Sequence, residues 1–266
     1  MSRNIPCTVA VLTRNSEATL ARALESVKNF DELLICDGGS TDRTLAIAES
    51  FGARVIGQDK NFLAEDGRIQ NFAGVRNQTL AAASHAWFFF LDSDEYVSPA
   101  LAKELCAAVA ADKPAAYWVP RKYVYRGKVV DRAVTYPNRQ MRFFNRRTAA
   151  SFIKAVHERI ELLPGTPVKE LAAYLLVPME DSVADMKRKW RGYLEVEGLR
   201  SPVLTLRQWI VGALRESAVA GLYVARFARN IIFYPNSTRL PARFELARLW
   251  YQWEAILTSL SRVRSW

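Results

Sequence analysis

Phe88-Phe89-Phe90-Leu91-Asp92-Ser93-Asp94-Glu95 is an apolar run that stops at three carboxylates within four residues. Carboxylates this close repel one another unless something positive stands between them. A divalent ion held jointly with the phosphates of a ligand is the usual remedy. The stretch therefore predicts a buried strand and, at its carboxyl end, an Asp-x-Asp site for metal and diphosphate. Ligands of open α/β sheets gather at the carboxyl ends of strands. For these eight residues alone a second reading stays open, in which Asp92 caps a turn and Asp94 and Glu95 are solvated.

Upstream, short apolar runs alternate with helical patterns, the signature of parallel strands joined by crossover helices. Strands are expected at Cys7–Leu12, Leu33–Cys36, Ala53–Ile56 and Trp87–Leu91. Helices are expected from about Ser16, from Ser40 or Thr41 to Gly52, and from about Asp66 to Ala83. Ser98-Pro99 reads as the N-cap and first turn of a helix reaching Ala110. Beyond Ala116 the pattern is strand-like, at Tyr117–Val119, Tyr123–Tyr125, Met141–Phe144 and Arg159–Leu162, and these strands are expected to extend the sheet. The fold class is α/β with a mixed, mainly parallel central sheet. Residues 1–180 form its domain, and 181–266 a helical region of amphipathic, arginine-rich and aromatic character.

With 266 residues, half of them apolar, the chain can bury a sizeable core and is not a disordered protein. Cys7, Cys36 and Cys106 are odd in number and lack metal-ligand spacing, so they read as small hydrophobes in a reducing compartment. The start Met-Ser-Arg-Asn shows no secretory signal, and no stretch of about 18 uncharged apolar residues reads as a membrane span. A cytoplasmic protein, peripheral on the inner face of the membrane, is the expectation.

The net charge of +10 is unevenly placed. Between Lys113 and Arg147 ten basic residues face the single acid Asp131, and residues 181–266 hold 14 basic and 7 acidic side chains. An anionic partner follows: a membrane surface, a phosphorylated glycolipid or nucleic acid. Leu206 to Arg215 and the helix opened by Pro241, with Phe244, Ala247, Trp250, Tyr251, Trp253, Ile256, Leu257 and Leu260, pack on the protein or another subunit, or lie in a membrane interface.

Four motifs fall in order: Thr13-Arg14-Asn15, Asp37-Gly38-Gly39-Ser40-Thr41-Asp42, Arg76-Asn77 and Asp92-Ser93-Asp94-Glu95. Together they resemble the family 2 glycosyltransferases of GT-A fold, strongly over residues 5–100 and more weakly to about 200. More narrowly, Val156-His157-Glu158 and the stretch from Asp181 to Glu197, with Lys189 and Tyr193, are similar to the branch of bacterial lipopolysaccharide-core β-glucosyltransferases. Ser93 stands where that family usually has Ala, and Gly38 where it has Asp or Ser.

The resemblance implies an inverting transfer from a nucleotide sugar, uridine-linked, to a lipid-linked or phosphorylated saccharide, with Mg²⁺ or Mn²⁺ as cofactor. Asp94 and Asp92 would take the metal, with Asp92 also touching ribose or sugar. Thr13, Asn15, Glu17, Asp37 and Gly39 would meet the nucleotide, Asp37 through the imide N–H of uracil, although Asn15 and Glu17 could equally cap the first helix. Arg68 and Arg76 would face the diphosphate or sugar, or stand as solvated helix charges. Glu158 is the first choice of base, with His157 orienting it or touching the diphosphate; Glu180 and Asp181 are alternatives. A polyprenyl-phosphate acceptor, a sugar nucleotidyltransferase and a non-catalytic nucleotide-sugar-binding protein are the rival readings. A nucleic-acid binder would leave the ordered carboxylates idle, and a homo-oligomer stays open.

Overall fold

The structure, a computed structural model, describes residues 5–155, 158–179, 181–200 and 203–263. In chain order the elements begin with β1 (Ile5–Thr13), α1 (Leu20–Glu25), β2 (Phe30–Asp37), α2 (Thr44–Ser50), β3 (Arg54–Gly57), α3 (Phe72–Ala82) and β4 (Trp87–Asp92). Then come β5 (Tyr96–Val97), α4 (Pro99–Ala110), β6 (Ala116–Tyr125), β7 (Lys128–Val129), β8 (Arg139–Asn145), β9 (Ala149–Ile153) and β10 (Arg159–Leu162). They are followed by β11 (Val168–Glu170), β12 (Leu175–Pro178), α5 (Val183–Arg200), α6 (Leu206–Phe233) and α7 (Ala242–Leu260). Two units emerge, residues 1–122 with 138–178 and residues 123–137 with 179–266.

In the first unit β3, β2, β1 and β4 lie side by side and parallel, and β8 and then β6 add on antiparallel. The central sheet is thus mixed around a parallel core. On β4, Trp87, Phe89 and Leu91 pack with Val11, Leu101 and Leu105. Phe88 and Phe90 face the other way, among Ala73, Phe144 and Phe152. Burial on both faces explains why this strand reads as an unbroken apolar run and not as an alternation.

The helices depart from expectation at their starts. α1 begins at Leu20, four residues late, because a turn comes first in which Thr19 and Leu20 donate to the Ser16 carbonyl. α2 begins at Thr44, since Ser40 and Thr41 are held by loop partners and do not cap it. α3 begins at Phe72: Gly67 turns the chain at φ +74°, and the Asn71 side chain accepts from Gly74 N at 3.0 Å. Gly74 also leaves the space that the Phe62 ring fills, with a Cβ there falling 2.6 Å from it. α4 spans Pro99–Ala110 under a Ser98 N-cap, as expected. β10 forms at 159–162, but pairs with β9 in a separate two-stranded sheet instead of extending the central one.

A buried carboxylate that the sequence reading passed over ties the sheet's far end. Glu32 accepts from Thr8 Oγ1 at 2.5 Å, Ser84 N and Oγ at 2.8 Å each, and Arg54 Nη2 at 2.6 Å. Burial raises its carboxyl, yet the donors from Thr8, Ser84 and Arg54 bring it down to about 2.

In the second unit α7 packs with α5 and α6. Phe244 and Ala247 are buried, Trp190 meets Tyr251 edge-on at 5.3 Å, and Arg248 stands 4.4 Å over Trp190. Packing therefore claims the leading part of α7's apolar face. Thr205 and Gln208 close a capping box at the start of α6. Glu245 of α7 is 5% exposed and accepts from Val134 N at 3.3 Å.

Burial pushes the Glu245 carboxyl up to about 7. Between the unfolded value near 4.5 and about 7 the folded chain holds the extra proton, so this group's contribution to stability falls as pH rises through that window. Glu245→Gln, which keeps an acceptor for Val134, is expected to be no more stable than the parent at pH 4.5 and to gain on it up to pH 8, by at most about 3 kcal/mol. Thermal melts of both proteins across that range check it.

Candidate active site

Every residue of this site lies in the first unit. Parallel pairing brings the carboxyl ends of three strands flush, with Thr13 beside Asp37 and Leu12 beside Asp92. The loops leaving those ends are knotted together by side chains. Asp37 Oδ1 accepts from Thr13 Oγ1 at 2.8 Å and Ser40 Oγ at 2.6 Å, while Oδ2 accepts from Gly39 N at 2.9 Å and Ser40 N at 2.8 Å. Four donors fill the four lone-pair positions of a carboxylate. An imide N–H could reach Asp37 only by displacing one, and Ser40 is the most exposed of the side chains that donate.

Asn15, at φ +49°, donates its N–H to Ser40 Oγ at 2.8 Å and accepts from Thr41 N at 2.8 Å. Glu17 Oε2 accepts from Arg43 N at 3.0 Å. Both residues thus bridge the first loop to the second, and neither caps α1. Ser16 Oγ lies 3.1 Å from Ser93 Oγ, which joins the third strand end to the same lattice. Gly38 is spoken for by Gln58, whose Oε1 lies 2.9 Å from where a Cβ would stand, whereas Gly39 turns at φ +81° with open space beside it.

The carboxylates after Phe90-Leu91 are answered by arginines. Asp92 Oδ1 accepts from Arg76 Nη2 at 2.6 Å and Oδ2 from Arg142 Nη2 at 2.7 Å. Glu95, 1% exposed, faces Arg142 Nη1 at 2.9 Å and pairs closely with Arg121. Arg76 and Arg142, each 3% exposed, also stand over the Phe90 ring at 4.4 and 4.9 Å. Desolvation alone would raise the Asp92 carboxyl, but Arg142 and Arg76 hold it far below the usual range. Burial pushes the Glu95 carboxyl up against the pull of Arg142 and Arg121, and the two carboxylates keep the Arg142 guanidinium charged despite its burial.

Arginines of the chain itself thus neutralise Asp92 and Glu95, two of the three carboxylates. Arg121 and Arg142, from the basic stretch expected to face an anionic acceptor, are turned inward to do it. Others of that stretch are engaged too: Arg139 with Glu170, and Arg146 with the Ala83 carbonyl at 2.7 Å. Arg68 is exposed and paired with Asp66 at 2.6 Å, outside the cluster.

Arg76 also reaches Glu158, with Nε 3.5 Å from Oε1, and its Nη1 is buried without a hydrogen-bond partner. That interaction places Glu158, 18% exposed, beside the strand-end carboxylates. Asp94 is partly exposed. Asp181 is 73% exposed and 3.6 Å from Arg126 in the second unit. His157 and Glu180 lie outside the described residues.

Among the described residues no group of three or more His, Cys, Asp or Glu is placed to hold a metal by side chains alone. A Mg²⁺-type ion asks less, one or two carboxylates with substrate phosphates completing its shell. Partly exposed Asp94 and the orphaned Arg76 Nη1 fit a metal–diphosphate pair, while Asp92 can join only through lone pairs its arginines leave.

The model of glycosyl transferase family 2 matches residues 8–160, and the chain belongs to that family. With it comes the GT-A type of α/β fold, in agreement with the sheet described. An uncharacterized glycosyltransferase of Rickettsia typhi is 32% identical over 144 residues, 53% of this chain and 46% of the relative. The lipopolysaccharide core biosynthesis glycosyltransferase LpsC of Rhizobium meliloti is 31% identical over 118 residues, 44% of this chain and 42% of the relative. The chain thus spans less than half the length of these two relatives. Among solved structures, S. aureus TarS 1–349 in complex with UDP-GlcNAc is 16% identical with a TM-score of 0.49, covering 96% of this chain and 90% of that one.

Removing Arg142 leaves Asp92 and Glu95 facing each other in a buried setting. Arg142→Met is expected to cost about 3–5 kcal/mol in urea denaturation, the usual loss when one partner of a buried pair is deleted. Arg68→Met, in an exposed pair, should cost under about 1 kcal/mol.

Proposed function

We propose that the chain catalyses inverting, metal-dependent transfer of a sugar from a uridine-linked nucleotide sugar to a lipid-linked or phosphorylated saccharide of the cell envelope. Family membership supports the reaction class, and the likeness to LpsC supports the acceptor class. The observation that carries the reading is the arginine-held carboxylate cluster at the carboxyl ends of β1, β2 and β4, where an open α/β sheet takes its ligands.

The nucleoside end belongs to Thr13, Asn15, Glu17, Asp37 and Gly39, whose loops are fixed before any ligand arrives. The diphosphate lies toward Asp94 and Arg76. Asp94, with Asp92 in support, would hold a Mg²⁺ or Mn²⁺, which would supply positive charge against that building on the departing diphosphate. Glu158 takes the proton of the acceptor hydroxyl as that oxygen bonds to the anomeric carbon and the nucleoside diphosphate leaves with the old bonding pair. Arg76 holds Glu158 and Asp92 at once, so the base and the donor site share one anchor.

Two variants separate the roles. Asp94→Asn should lose the Mn²⁺-dependent part of uridine diphosphate binding in calorimetry and lose transfer with it, the fold unchanged by circular dichroism. Glu158→Gln should bind the nucleotide normally and transfer about 10²–10⁴-fold more slowly, the usual cost of a missing general base. A Glu158→Gln enzyme with normal turnover would move the base elsewhere, and metal-independent binding by the parent protein would sink the metal role.

A further inference from the structure

α6 presents two different faces along its 28 residues, about 42 Å at 1.5 Å per residue. One line, Trp209, Ala213, Glu216, Ala220, Tyr223 and Phe227, is partly buried, and Asn230 at its end is fully so. The opposite line leaves large apolar groups in solvent: Val211 is 61% exposed, Leu214 66%, Leu222 46%, Ile232 66% and the adjacent Phe233 70%. No polar group interrupts it except arginine. Arg207 and Arg229 lie on this line, Arg215 stands beside it, and all three are exposed. The helix's single acid, Glu216, sits on the packed line.

Such a face suits one occupant. We infer that α6 lies along an anionic lipid surface, its apolar line entering the boundary between headgroups and acyl chains and its arginines meeting lipid phosphates. A second copy of the chain would set this all-cationic face against its own arginines, since a two-fold interface joins like to like. Crossing the bilayer is not the geometry, because no helix among the described residues is long and apolar enough. On α7, Phe244 and Ala247 are buried, while Leu246, Trp253, Leu257 and Leu260 are exposed and add to the apolar surface of this unit. The inference does not depend on the glycosyl-transfer reading.

Co-sedimentation of the full chain with phosphatidylcholine vesicles, with and without phosphatidylglycerol, tests it across a salt series. Binding is expected with phosphatidylglycerol only, weakening as salt screens the charges. The triple variant Arg207→Gln, Arg215→Gln, Arg229→Gln should partition about 100-fold less, from about fivefold per basic residue near the surface. Lys28→Gln, Lys103→Gln, Lys113→Gln makes the same change in net charge in the first unit and should bind as the parent does. Leu214→Asn with Ile232→Asn should weaken binding even at low salt. Equal losses from both charge triples, or no binding by the parent at low salt, overturn the inference. So does a dimer in light scattering that the Leu214 and Ile232 double variant dissociates without any effect on vesicles.

Discussion

Two of the three carboxylates at the end of a buried strand, Asp92 and Glu95, can persist only if positive charge reaches them, and here three arginines from three other elements supply it. Arg76 comes from α3, Arg121 from β6 and Arg142 from β8, so the balance of charge at one strand end also pins a helix and two strands to it. Deep ion pairs are seldom a net source of stability, since desolvation offsets much of the attraction. Their value here is positional: Arg76 and Arg142 are each clamped between carboxylates and the Phe90 ring, and Arg121 is held by Glu95. A charged cluster thus becomes a fixed platform on which Asp94 and Glu158 are presented.

The loops beside that platform follow the same logic with neutral donors. Asp37, Asn15 and Glu17 each use a side-chain oxygen to hold backbone N–H groups of the loop after β2. A loop ordered in this way pays little to receive a ligand, because its conformational entropy is already lost. The saturated Asp37 carboxylate implies that Ser40 is the group that yields if a base is to be read there.

The second unit shows how far apolar pattern alone can be trusted. α6 and α7 both read as amphipathic with arginines, yet the leading part of α7 is buried against its neighbours while one whole side of α6 remains in solvent. Which apolar stripe is covered depends on which helices meet, and stripe composition does not encode that. What composition does encode is sign, and the exposed side of α6 carries only cations.

The sequence by itself determined the alternation of strands and crossover helices, the strand ends at Asp37 and Asp92, the Ser98 cap of α4 and the family-like order of motifs. These are local: periodicity, capping chemistry and spacing act within a few residues. Helix starts were misplaced where Ser40 and Thr41 bond to loop partners instead of capping α2, and where Asn71 rather than a residue near Asp66 caps α3, a choice made by contacts the spacing does not show. Only the tertiary structure decided that arginines answer the carboxylates, because Arg121 and Arg142 lie 26 and 47–50 positions from their partners. Glu32 was invisible for the same reason, its donors coming from Thr8, Arg54 and Ser84. A buried charge is satisfied by whatever chain geometry brings within about 3 Å, and that distance exists only once the sheet has formed.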